Sequence, residues 1–152
     1  MGQYSLDGEC LKKVRDDFFK KHSSILHMVA SESHVYVLYN DKSLEVLKAD
    51  AIDQVVAKTT QMKDLGAAKG ELSGLAYCEA KNEVWVSDVQ GFVHILDGST
   101  LAAVKPESEA IELKTVYGHP ATFIAHSKDR GSLMAVGDTK GYVTVFDTET
   151  RS

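Results

Sequence analysis

Residues 84–97, VWVSDVQGFVHILD, return at residues 134–147 as MAVGDTKGYVTVFD. The two copies stand 50 residues apart and align without a gap. Asp88 matches Asp138, Gly91 matches Gly141, Phe92 matches Tyr142, Val93 matches Val143 and Asp97 matches Asp147. Each copy holds a short alternating apolar run, a polar turn containing glycine, and a second alternating run. That is the pattern of a β-hairpin, in which glycine takes the positive φ that the turn requires. Self-similarity at such a period marks a repeat architecture, an array or a propeller.

Working outward, the later copy gains a strand at Thr122–His126 and a turn at Ser127–Gly131, before strands at Ser132–Gly137 and Tyr142–Phe146. The earlier copy follows the same plan, with strands at Gly74–Tyr77, Glu83–Ser87 and Phe92–Leu96. A weaker copy lies upstream, with strands at Ile25–Ala30, Val35–Val37 and Leu44–Leu47 around a hairpin at Asn40–Lys42. Leu6–Leu11 reads as the turn and strand of yet another. Gln54–Ala57 and Ala102–Val104 suit a fourth, outer strand, and Lys105–Lys114 an exposed connection. Asp16–Ser24 fits either a short helix or a polar connection with Phe18 and Phe19 packed inward. The expected fold is all-β, a partial β-propeller of about three four-stranded antiparallel blades plus half of a preceding one. The expected divisions are a blade tail at 4–14, then blades at 25–60, 70–105 and 118–150, the last incomplete.

The chain has 152 residues, 43% of them hydrophobic, and a net charge of -5. That length supports a core. The acidic balance lacks the basic stripe of a nucleic-acid surface. The apolar runs fall short of the ~20 residues of a membrane helix. The first residues lack the pattern of a signal peptide, and Leu6 breaks the myristoylation motif that Gly2 would otherwise open. Cys10 and Cys78 are the two cysteines, which fits reduced thiols and a cytoplasmic setting.

Residues 118–147 carry a family likeness. Gly118-His119 opens the unit and Phe146-Asp147 closes it, with a Ser127-x-Asp129 turn, a small-residue strand end at Ala135-Val136-Gly137 and the glycine hairpin between them. This resembles a WD repeat, with Phe-Asp in place of Trp-Asp. Residues 70–97 resemble it too, with Lys69-Gly70 at the start and Leu96-Asp97 at the close; in the first copy Leu47-Lys48 stands there. Gln90 and Lys140 occupy the place where many WD repeats carry an Asp that ties the Gly-His histidine into a buried network. The resemblance therefore implies that this network is missing and that His119 is a partly exposed turn residue. The stretches GLAYCEAKNEVWVSDVQGFVHILDGSTL and AHSKDRGSLMAVGDTKGYVTVFDTET further resemble the second propeller of the actin-interacting protein 1 family, the WD-repeat cofactors of cofilin. That likeness implies a non-enzymatic protein-docking role, actin and cofilin as partners, and a cytoskeletal association.

The remaining candidates carry two readings each. Asp88 and Asp138 could form part of a carboxylate ring for a cation or basic partner; the simpler reading is turn chemistry, since Asp accepts from its own backbone two residues on. Tyr36 and Trp85 occupy equivalent strand positions, as interface anchors or as packing between blades. Phe92 and Tyr142 are expected to pack against a neighbouring blade. The six histidines show no ligand spacing, Glu107–Glu112 lacks the pattern of a calcium loop, and His126, Asp129 and Ser132 crowd one turn rather than converging as a triad. No catalytic, cofactor or metal site is expected. The competing readings are a WD scaffold of another complex, or a propeller hydrolase with a channel metal, whose inward positions here hold Val, Ser, Ala and Gly. Closed propellers need ~4–8 blades. The expectation is therefore a fragment of a larger chain, or a homo-oligomer or strand-swapped dimer.

Overall fold

The computed structural model describes residues 2–4, 10–13, 24–41, 43–59, 71–104, 113–127 and 132–152. They form β1 (Gly2–Tyr4), β2 (Cys10–Lys13), β3 (Ile25–Ala30), β4 (His34–Tyr39), β5 (Leu44–Lys48), β6 (Val55–Thr59), β7 (Leu72–Cys78), β8 (Glu83–Asp88), β9 (Phe92–Asp97), β10 (Leu113–Lys114), β11 (Ala121–His126), β12 (Leu133–Asp138) and β13 (Val143–Asp147). A 3-10 turn, Glu79–Lys81, links β7 to β8. Residues 16–23, where a helix and a connection were both open, lie outside the described residues, as does most of the turn at 127–131.

Neighbouring strands pair antiparallel in chain order, so each sheet is a meander. The first blade is β3-β4-β5-β6, the second β7-β8-β9-β10 and the third β11-β12-β13, and β1 pairs with β2 in a separate two-stranded sheet. The chain is all-β, a partial propeller of three blades and half of another.

The outer strand of the second blade departs from expectation. Ala103 makes one bridge to Leu96, and Val104 N–H donates to Ile95 C=O at 2.8 Å. The strand then resumes at Leu113–Lys114, opposite Val93 and Phe92. Continued without interruption, the ladder would set residue 106 opposite Val93 and require its N–H. Residue 106 is Pro, which has none. Leu113 takes that place, so the end of the supposed connection supplies the strand.

Alternation sends each central strand's side chains to opposite faces, and in the first two blades both faces are buried, while the third blade's outward face is exposed. Tyr36, Leu38, Leu44 and Val46 of the first blade pack on Leu72, Leu75, Val84, Val86 and Leu96 of the second. From the second blade's other face, Ala76, Trp85, Val93, Ile95 and Leu113 meet Ala121, Ile124, Met134, Val136 and Phe146 of the third. All six residues of β8 are buried. Large apolar side chains sealed in this way contribute roughly 1.5–3 kcal/mol each.

The closing aspartates shape the turn after each third strand. Asp97 Oδ1 accepts from the N–H groups of Ser99 and Thr100 at 2.9 and 2.8 Å, and Asp147 Oδ1 from Glu149 and Thr150 at 2.7 and 3.0 Å. Four residues past each Asp the chain turns left-handed, at Leu101 (φ 57) and Arg151 (φ 53). Leu101 is thereby driven into the packing between the first two blades. Arg151 reaches back to the buried Glu83 of the second blade.

Gly91 and Gly141 hold nearly the same φ, 84 and 86, in different surroundings. A methyl at Gly91 would lie 2.5 Å from Thr115 Oγ1 and 2.6 Å from the His119 carbonyl, whereas one at Gly141 would meet nothing within 4 Å. Gly141→Ala is expected to cost about 1 kcal/mol, the backbone term alone, and Gly91→Ala clearly more, about 2–4 kcal/mol with overpacking added. Urea unfolding of the two variants, read side by side, checks the difference.

Candidate functional site

The repeated hairpins gather at one end of the second and third blades. Asp88 Oδ1 accepts from Gln90 N–H at 2.8 Å and Phe92 N–H at 3.0 Å. Asp138 Oδ1 accepts from Lys140 and Tyr142 N–H at the same two distances. Both carboxylates thus organise their own turns, and both are buried. Their free oxygens fare differently. His94 Nε2 donates to Asp88 Oδ2 at 3.0 Å. The position matching His94 in the third blade is Thr144, and Asp138 Oδ2 is buried without a hydrogen-bond partner among the described residues. In the first blade the same two positions hold Tyr39 and Glu45, whose hydroxyl and carboxylate meet at 3.1 Å, with Lys58 2.8 Å from Glu45. Burial, and then the neighbouring Glu45, push the Tyr39 phenol up.

Between the two hairpins runs the strand that the second blade regained. Thr115 N–H donates to Gly91 C=O at 2.8 Å, and Gly118 N–H to Thr115 C=O at 2.9 Å. The Thr115 hydroxyl donates to the His119 carbonyl at 3.0 Å. Thr139 N–H then donates to Pro120 C=O at 3.0 Å. These links tie the two hairpins together, and the His119 ring packs beside them. It stacks on Tyr142 at 6.1 Å, and Tyr117 lies 5.9 Å from His119 and 4.8 Å from Tyr142. Tyr117 is 62% exposed, Val116 66% and Tyr142 49%. Lys114 Nζ sits 4.5 Å over the Phe92 ring alongside.

The sequence candidates therefore separate. Asp88, Gly91, Gly118, His119, Asp138 and Gly141 meet at the hairpin end. Asp97 and Asp147 cap turns at the other end. Tyr36 and Trp85 are wholly buried, which corrects their reading as possible interface anchors. The Tyr36 ring stacks on Tyr77 at 5.0 Å, and Trp85 lies 6.4 Å from Phe146. Burial, and then Tyr77, raise the Tyr36 phenol above its ordinary value. Tyr142 packs on Tyr117 and His119, in the segment that joins the second blade's outer strand to the third blade. Phe92 is half-buried beneath Lys114.

Sequence reasoning missed Tyr117, Arg151 and the Tyr39–Glu45 pair. Arg151 had a signal. The repeat runs on past the closing Asp as DGSTL and DTETR, with Thr100 and Thr150 in register. Tyr117 had none, because the earlier copy has no matching aromatic. Among the described residues no group of His, Cys, Asp and Glu is placed to hold a metal ion, and no helix is long and apolar enough to cross a membrane.

No family model matches the chain, and no curated protein matches it. Solved structures do. U3-55K aligns with a TM-score of 0.70 at 10% identity over 86% of this chain. Sqt1 of Saccharomyces cerevisiae aligns at 0.68 and 15% over 95%. The WD40 domain of Pan2 from Neurospora crassa aligns at 0.60 and 15% over 84%. These neighbours are WD40 propellers, and the fold of this chain is a WD-type propeller fold. It spans 38%, 38% and 34% of their respective lengths.

Burial pushes the Asp88 carboxyl up, and the hydrogen bonds from His94 and from the Phe92 and Gln90 N–H groups more than offset it, leaving the group below its ordinary range. With the native pKa depressed, Asp88 contributes stability that is complete above the unfolded value of about 3.9 and is lost as the pH falls through the native one. Asp88→Asn is expected to lower stability at neutral pH and flatten its acid dependence below about pH 5. Urea midpoints across that range measure both.

Proposed function

We propose that this chain is a non-enzymatic protein-docking module of a WD-repeat propeller, and that the docking site is the hairpin end of its second and third blades. One observation carries the reading: the contiguous exposed patch of Val116, Tyr117, His119 and Tyr142, pinned from beneath by backbone hydrogen bonds. Exposed aromatic clusters on a rigid support are what protein interfaces use as anchors. The repeated carboxylates that chemistry would need are instead engaged with the N–H groups of their own turns.

The narrower reading is the promotion of cofilin-mediated actin filament disassembly, in the cytoplasm and in association with the cytoskeleton. It is supported by the sequence likeness of residues 74–101 and 125–150 to the actin-interacting protein 1 family. Cosedimentation of filaments with cofilin, with and without this protein, tests it. The expected result is more actin in the supernatant when both are present, reduced tenfold or more in potency by Tyr117→Ser combined with Tyr142→Ser. No enhancement by the unaltered protein sinks the actin reading. An enhancement that the double variant leaves intact moves the docking site away from this patch.

A further inference from the structure

The hairpin end of the second and third blades carries a charge opposite to that of the chain. The net charge is -5, yet the two acids of these hairpins, Asp88 and Asp138, are buried in their own turns. Asp138 Oδ2 is sealed from solvent as well, so it offers a partner no charge. Among the described residues, the charged side chains exposed beside the aromatic patch are Lys114 and Lys140, and neither has a carboxylate partner. Glu71 precedes β7, at the opposite edge of the second blade from Lys114 in β10, and does not neutralise it.

Lys114 is held in place. Its Nζ lies 4.5 Å over the Phe92 ring, and its stem crosses Gly118, where a methyl would lie 2.7 Å from Lys114 Cε. Gly118 thus serves twice, taking a φ of 64 for its turn and leaving room for the lysine. A long side chain stretched over apolar surface keeps its ammonium in water. Lys140 stands at the tip of the hairpin that leads into Tyr142, with its backbone fixed by Asp138. Its exposure belongs to the turn. In the second blade residues 115–119 pack on the equivalent hairpin, and Val89 and Gln90 there remain exposed.

We infer that the docking site reads an acidic segment of a partner protein, with an apolar side chain set on Val116 and Tyr117 and carboxylates directed to Lys114 and Lys140. The inference rests on the docking reading, though not on actin as the partner. Aromatic rings supply contact area to almost any chain, and the lysines decide which chain is preferred. An ammonium already positioned loses little side-chain entropy when a carboxylate arrives. Like charge turns a basic segment away. Two cations on a chain of net negative charge fall short of the basic stripe that a nucleic-acid backbone requires.

Fluorescence anisotropy with the complete chain tests this. The probes are a labelled peptide alternating Glu with Leu and Tyr, the same peptide carrying Gln or Lys for Glu, and a single-stranded oligothymidylate. The Glu peptide is expected to bind about fivefold or more tighter than the Gln peptide at low salt, with the Lys peptide weakest and the preference narrowing as salt rises. Lys114→Gln combined with Lys140→Gln should erase the preference and leave the Gln peptide as it was. Lys48→Gln, which removes an exposed lysine at the other end of the first blade, should change neither. Circular dichroism checks that the variants fold; if the double variant does not, Lys140→Gln alone must lower the preference. No binding of the Glu peptide, equal binding of the Glu and Gln peptides, or a preference that survives the lysine variants overturns the inference. So does tighter binding of the Lys peptide or of the oligonucleotide. Docking itself is read separately: binding of the Gln peptide, and its loss in Tyr117→Ser with Tyr142→Ser, make no use of charge, so the patch can stand while the acidic partner falls.

Discussion

The structure rests on one constraint: the central strands of the first and second blades bury both of their faces. β8 shows it most fully, with Val84 and Val86 directed into the first blade and Trp85 into the third. A half-buried sheet would leave one of those sets in water, at roughly 25 cal/mol for each Å² of apolar surface. No blade here can satisfy its strands alone, and stability accumulates at the seams between blades. Leu101 and Arg151 extend this logic. Equivalent left-handed residues sit at the outer end of successive seams, one closing its seam with an apolar side chain and the other with a guanidinium on buried Glu83.

The hairpin end faces the opposite problem. Chain reversal brings backbone N–H groups close to a dry interior, and each must find an acceptor. Asp88 and Asp138 meet the need in the same way, but the second carboxylate oxygen must then be satisfied separately. His94 does so in the second blade, while Tyr39, Glu45 and Lys58 form a different chain of partners in the first. In the third, Thr144 Oγ1 accepts from Val116 N–H at 3.1 Å instead, which ties down the segment presenting Tyr117 and leaves Asp138 Oδ2 unmatched among the described residues. One pair of positions thus has three solutions, and the least satisfied lies under the exposed aromatic patch.

How much of this was legible follows from the range of each interaction. The strands and hairpins were, because alternation and turn chemistry are local: Asp97 and Asp147 cap residues two and three places on, and Gly91 and Gly141 take the φ that their turns demand. The outer strand of the second blade was only partly legible, because the pairing of Leu113 and Lys114 with Val93 and Phe92 answers a long-range register rather than a local pattern. Trp85 and Tyr36 could not be assigned from sequence alone, since an aromatic residue in a strand reads the same in a seam or on a surface. The patch itself was only half visible. His119 and Tyr142 belong to the repeat, but Tyr117 joins them across two turns, and nothing in its local sequence announces that meeting.

The burial constraint also decides where function can reside. A residue in a seam is held by two sheets at once, so changing it for a partner's sake disturbs both, as Trp85 between Ala76 and Phe146 illustrates. The turns are under no such restriction. Their backbone is fixed by Asp side chains and glycines, which leaves the residues between them free to vary. Between the two equivalent hairpins, the residues after the fixed Asp differ freely, Val89-Gln90 against Thr139-Lys140, while Asp, Gly and the following aromatic stay. Rigid backbone with unconstrained side chains is the arrangement a recognition surface needs, because binding then spends little conformational entropy. The aromatic patch stands on that kind of backbone, and this ties the docking role to the same physics that holds the blades together.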